Sequence, residues 1–124
     1  GVVCPMQDAR AGQVYCAAYR GGERILPDGA MKLGEFLESL PAGDGCLFIG
    51  DGAEANREKI VQAMGERAVF AQAGEMNLRA ANAALIAGEK SGTAVGWREL
   101  LPCYLRRPQA EREREAREAA SHAE

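Results

Sequence analysis

Histidine, aromatic side chains and net positive charge are what this 124-residue sequence has little of. Its one histidine, His122, lies in a charged tail. No pair of imidazoles can therefore hold a metal on one helical face, and the body has no histidine base to activate a serine or cysteine nucleophile. No metal site and no catalytic residue is assigned. The formal charge of −3 gives no general attraction for polyanionic nucleic acid, so any service to RNA would run through a protein partner. No apolar run approaches the roughly 18 residues that span a bilayer, and the opening residues do not read as a signal peptide. The four cysteines, Cys4, Cys16, Cys46 and Cys103, form no C-x-x-C pair. Reduced cytosolic thiols are the expectation, with a redox pair as the alternative. There is no internal repeat, no Walker lysine and no G-x-G-x-x-G.

What is present suits one folded domain. The chain is 47% hydrophobic and 27% charged, long enough to bury a core without a disulfide or metal staple. Aromatics make up 6% while alanine and glycine abound, so the core should be built from small side chains and close backbones. Gly1-Val2-Val3 enters an apolar segment at once, an opening expected of a chain cut from a longer one.

Val2, Val3, Cys4 and Met6 read as a strand, with Pro5 expected at an edge or bulge because it lacks a ladder donor. Asp8-Ala9-Arg10 should end it and Ala11-Gly12 reverse the chain. Val14 to Tyr19 is the clearest strand; neither face is polar, so both should be covered. Gly21-Gly22 makes a turn, Glu23 to Leu26 a third strand, and Pro27-Asp28-Gly29 its end. Leu33, Phe36, Leu37 and Leu40 follow helical spacing up to Pro41 and Gly43-Asp44-Gly45. Cys46 to Ile49 reads as a buried strand, Glu54 to Met64 as a helix, Ala68 to Ala71 as a short strand, and Asn77 to Lys90 as an alanine-rich helix. Trp97 to Arg107 is non-periodic, and its bulky residues need a surface to cover. The order predicts an α/β fold: a mixed sheet that opens with a three-strand antiparallel meander and carries helices packed on it. This is the element order of one ribonuclease H-like lobe, the unit duplicated in the actin-like ATPase superfamily.

Several segments could carry chemistry. Gly50-Asp51-Gly52, at a strand-to-helix turn, is the candidate nucleotide loop, since glycines admit backbone N–H groups to an anion at a helix start. Asp51 would repel a phosphate, and the plainer reading is a turn with Asp51 or Asn56 helping to cap. Asp8 and Arg10 share a strand face and suggest an exposed salt bridge. The alanine-rich helix could be an association surface, but packing on its own sheet is the better expectation. Tyr104-Leu105-Arg106 fits partner contact and chain-end packing equally well. The tail alternates Glu and Arg, with i, i+4 pairs Glu113–Arg117 and Arg114–Glu118, and reads as a solvated helix or disorder.

Three segments carry a family resemblance. Asp8-Ala9-Arg10-Ala11-Gly12-Gln13-Val14-Tyr15 resembles the DAR-x-G-x-VY strand-turn-strand of TsaB (YeaZ-like) proteins, of the glycoprotease-like family. Phe48-Ile49-Gly50-Asp51-Gly52-Ala53 is similar to that family's strand and glycine turn. Leu101-Pro102-Cys103-Tyr104-Leu105-Arg106-Arg107 with Pro108 to Glu111 is similar to its P-x-YLR-x-x-A segment. The resemblance implies the C-terminal lobe of a two-lobed protein, residues 1–107, followed by a charged tail, residues 108–124, helical or disordered. The N-terminal lobe, with its D-T-S-type strand, would lie outside. It further implies a cytoplasmic, non-catalytic scaffold for N6-threonylcarbamoyladenosine formation at adenosine 37 of tRNA. The partners would be a TsaD-like catalytic subunit and a TsaE-like ATPase, with tRNA met only indirectly. No cofactor is expected in this chain, although ATP could serve the full assembly. The alternatives are a nucleotide-binding domain of an actin-like ATPase and a glycoprotease-type peptidase; the single histidine weighs against the peptidase. An interlobe face left open would favour weak self-association.

Overall fold

In the computed structural model, which describes residues 1–121, β1 (Val2–Asp8) is the central strand. β2 (Gln13–Arg20) and β3 (Glu23–Lys32) flank it on one side as an antiparallel meander. β4 (Cys46–Ile49) and β5 (Ala68–Phe70) continue the sheet in parallel on the other side, giving the order β3-β2-β1-β4-β5. The expected class is what forms: an α/β fold with a mixed five-strand sheet and helices packed on it.

The alternation of β1 decides the layering. Val2, Cys4 and Met6 point to the buried side, where Val14, Cys16 and Ala18 of β2 and Cys46 and Phe48 of β4 join them. α1 (Leu33–Ser39) covers this face with Leu33 and Phe36, and α3 (Arg57–Met64) with Ile60 and Met64. Small groups supply only half of the core: three thiols, Ala18, Ala53, Val2 and Val14 pack among Met6, Leu33, Phe36, Leu40, Phe48, Ile60 and Met64. Phe70 reaches Phe48 with ring centroids 5.7 Å apart. Arg57 lies over the Phe70 ring at 4.1 Å while its Nη2 donates to Glu54 Oε2 at 2.6 Å, tying α3 to β5. That hydrogen bond holds the Glu54 carboxyl below its ordinary range. Arg67 donates to the carbonyls of Asp44 (3.0 Å) and Pro41 (2.6 Å), fastening the loop before β4.

The opposite sheet face is covered unevenly, which corrects the expectation that both faces of β2 are shielded. Ala17 is buried, but Tyr15 and Tyr19 are only half-buried, Val3 is exposed and Val69 on β5 is 52% exposed. Other boundaries also differ. Pro5 sits in the central strand rather than at an edge. The register against β2 is kept across it, from Val3–Tyr19 to Met6–Cys16, and on the other side it pairs with Ile49. One missing donor is thus absorbed where neighbours on both sides hold the strand. β3 runs on through Pro27-Asp28-Gly29 to Lys32, with register shifts opposite Cys16 to Tyr19. An edge strand tolerates a proline and a bulge that would break an interior one.

The helix expected over Glu54 to Met64 is two helices. α2 (Asp51–Ala55) and α3 are separated by Asn56, whose backbone leaves the helical region at φ −114°, ψ 14°. The alanine-rich helix is α4 (Ala80–Glu89), starting three residues later than the spacing suggested. It does not pack on the sheet: every residue from Asn77 to Leu105 is exposed, Leu78 to 83% and Trp97 to 80%. Trp97, Leu100, Leu101 and Tyr104 likewise find no surface to cover among the described residues. The charged tail forms α5 (Gln109–Ser121), with Arg114 Nε 3.6 Å from Glu118 Oε1. His122 lies outside the described residues. Among them, no helix is long and apolar enough to cross a membrane.

Burial keeps the Cys4 and Cys16 thiols protonated. Cys4 is pushed up to about 12, first by burial and then by the neighbouring Cys46 and Cys16; burial alone lifts Cys16 to about 11. Cys103 is the exposed cysteine of the four. A thiol reagent at pH 8 should label one cysteine in the native chain and four in denaturant, counted by mass spectrometry. The folded state holds these thiol protons above the pH at which the unfolded chain releases them. The stability they contribute is therefore complete below about pH 9 and falls as pH rises from there toward 11 to 12. Urea midpoints should drop across that window; a flat profile, or several labelled thiols in the native chain, would contradict the burial of Cys4 and Cys16.

Candidate functional site

The carboxyl ends of β1 and β4 lie side by side, Pro5 opposite Ile49, and the chain turns from β4 into α2 at Gly50. In open α/β sheets this end of the parallel strands is where crevices form. Gly50 adopts φ 108°, ψ 166°, a conformation essentially closed to other residues. A Cβ on it would stand 2.0 Å from the carbonyl oxygen of Met6. One on Gly52 would stand 2.6 Å from the carbonyl carbon of Gln7 and 2.9 Å from the Asp8 nitrogen. Both glycines of the candidate nucleotide loop thus face β1, where α2 rests directly on strand backbone.

Asp51 completes the turn locally. Its Oδ1 accepts the Gly52 N–H at 2.9 Å. Asn56 acts at the other end of α2: its Nδ2 donates to the Gly52 carbonyl at 2.9 Å, which accompanies the break before α3. The two capping residues named from the sequence therefore both bond Gly52, one at its N–H and one at its carbonyl.

Beside this turn lies a cleft of about 540 Å³ between the less covered sheet face and α4. Pro5, Gln7, Ile49 and Asp51 line the sheet side; Met76, Asn77, Asn82, Ala83 and Ile86 line the other. Six of its lining residues carry polar side chains, Gln7, Asp51, Glu75, Asn77, Arg79 and Asn82, and three of these are already engaged within the chain. The Glu75 carboxylate accepts the Gln72 N–H at 3.2 Å, and the Arg79 guanidinium donates to the Gly74 carbonyl at 2.6 Å. Arg79 is the lining cation, so an anion entering here would compete with the Gly74 carbonyl and meet Asp51 and Glu75. The shape can accept a small flat or apolar group better than a phosphate.

The remaining sequence candidates are structural in this arrangement. Asp8 does not bridge to the Arg10 guanidinium; its Oδ1 accepts the backbone N–H of Arg10 at 2.9 Å. That bond steadies a turn in which Arg10, Ala11 and Gly12 all take positive φ. Arg106 reaches this turn from the far end of the chain, donating to the Ala9 carbonyl at 2.8 Å, while Tyr104 stays exposed. Among the described residues no cluster of three or more His, Cys, Asp or Glu side chains could hold a metal. Sequence reasoning missed the far wall of the cleft, from Glu75 to Ile86. Its only signal was a stripe of Leu78, Ala81 and Leu85, which spacing alone ties to the sheet as readily as to a partner.

If the glycines are there for backbone contact, alanine substitutions should rank by that contact. Gly50→Ala should cost about 3 kcal/mol or more, through a forbidden backbone conformation plus a clash. Gly52→Ala should cost somewhat less. Gly12→Ala, left-handed but in open space, should cost about 1 kcal/mol. Urea unfolding of the three variants checks the order; equal losses at Gly50 and Gly12 would remove the contact argument.

No protein-family profile matches the chain. It is 33% identical over 116 residues to the tRNA threonylcarbamoyladenosine biosynthesis protein TsaB of Bacillus subtilis (strain 168). The match takes in 90% of this chain and 50% of that protein, so the chain spans about half the length of the relative it matches. The TsaB resemblance carried by the three motifs is thus a similarity that runs along nearly the whole sequence.

Proposed function

We propose that this TsaB-like chain is a non-catalytic scaffold lobe in the assembly that forms N6-threonylcarbamoyladenosine at adenosine 37 of tRNA. In this reading residues 1–107 are a C-terminal lobe and residues 108–124 its charged tail. The lobe supports a TsaD-like catalytic subunit in the cytoplasm, alongside a TsaE-like ATPase, and any ATP belongs to the assembly. The observation that carries the reading is the 33% identity over 116 residues to a protein whose name states that pathway. Two physical features agree with it. A net charge of −3 leaves tRNA contact to a partner. The uncovered apolar residues of α4 and the segment after it suit a protein that works in contact with other protein surface.

The test is a chimera in which this chain replaces the matching half of the Bacillus subtilis protein, expressed in cells lacking TsaB. Mass spectrometry of tRNA hydrolysates should show the modified adenosine restored. The same chimera carrying Leu85→Asp and Ile86→Asp should fold, since both side chains are exposed, yet lose about tenfold or more of the product if that face is buried in the assembly. A folded parent chimera that restores nothing would overturn the proposal.

The cleft beside Gly50-Asp51-Gly52 supports a second reading, nucleotide binding. Calorimetry with ATP and ADP, with and without Mg²⁺, separates the two. The engaged Arg79 and the two acidic groups lead us to expect no binding tighter than millimolar by the isolated chain. Micromolar affinity would favour the nucleotide reading.

A further inference from the structure

Two adjacent arginines point in opposite directions near the end of the chain. Arg106 is the first residue after Met76 that is not fully exposed. Its Nη1 donates to the Ala9 carbonyl at 2.8 Å, joining positions 97 residues apart. The other backbone bonds nearby are local: Thr93 to Lys90, Ala94 to Ser91, Glu99 to Gly96. Next in sequence, Arg107 Nη1 pairs with Glu115 Oε1 on α5.

The acceptor of the first bond is specific. Ala9 is buried and directly follows β1, and its N–H bonds the Gln13 carbonyl at 3.1 Å across the turn. The turn is wound through three consecutive positive-φ residues, Arg10, Ala11 and Gly12. A buried carbonyl at such a turn needs a donor, and a planar guanidinium that never loses its charge supplies one from the far end of the chain.

We propose that Arg106 and Arg107 form a two-way clasp. Arg106 is a positioning residue that fixes the otherwise exposed segment 94–105 to the β1–β2 turn. Arg107 sets α5 relative to that segment. The arms differ in kind. Arg107–Glu115 is an exposed ion pair, open to salt screening. Arg106 to Ala9 is a partly buried bond to a neutral carbonyl, which salt hardly touches.

Hydrogen exchange on the full 124-residue chain, read by mass spectrometry, tests the clasp. Arg106→Gln should raise exchange several-fold in residues 9–13 and 94–108 and leave β4 and α3 unchanged. Arg106→Lys, which keeps a cationic donor, should retain part of the protection. Arg107→Gln should free residues 109–121 alone, and about 0.5 M salt should do the same to the unaltered chain. Unchanged exchange at residues 9–13 in Arg106→Gln, or a uniform rise through β1 to β4, would overturn the proposal. So would salt that releases 94–108 and α5 together, a result that needs no variant to fold.

Discussion

The contact between α2 and the backbone of β1 governs how the rest of the chain is disposed. Strand and helix come so close at Gly50 and Gly52 that no side chain fits between them. This fixes where β4 ends and where α2 begins, and so sets one wall of the cleft. With α2 held there, the break at Asn56 lets α3 swing away to lay Ile60 and Met64 on the core. A single helix across the same residues would have to follow the α2 axis and would carry those side chains elsewhere.

Much of this was legible in the sequence. Alternation in Val2–Met6 and Val14–Tyr19, and the spacing of Leu33, Phe36 and Leu40, give strands and helix because their signal is burial on one face. What was not legible depends on neighbours. Whether a proline lies in a central strand depends on the strands either side, and Pro5 has both. Pro27-Asp28-Gly29 looks like a strand end, yet β3 can bulge there because its outer side is free. The cleft could be read only by half. Gly50-Asp51-Gly52 announces a turn, but the reason for its glycines is the strand they touch, which lies more than forty residues away in sequence. The exposure of α4 was unreadable for another cause: an apolar stripe states that a helix will be covered, and not by what.

The two faces of the sheet have different economies. The face under α1 and α3 is filled with three thiols, aliphatic side chains and two phenylalanines, and its cysteines behave as small hydrophobes. The other face is clothed by Tyr15, Tyr19 and the edge of a cleft, with Val3 and Val69 open to solvent. Stability therefore rests mainly on the first face. The second, together with α4, holds the apolar surface through which a scaffold would meet its neighbours.

The position of β1 in the middle of the sheet also sets the entropy of assembly. Met6 finds Cys16 across a short loop, whereas Val2 finds Cys46 only after β2, β3 and α1 have been traversed. Each doubling of a closed loop costs about 0.6 kcal/mol more, so hairpin closure is the less demanding contact and parallel pairing the more demanding one. The meander is the locally closed half of the sheet, and the strands that need the longer closures, β4 and β5, lie on the far side of β1.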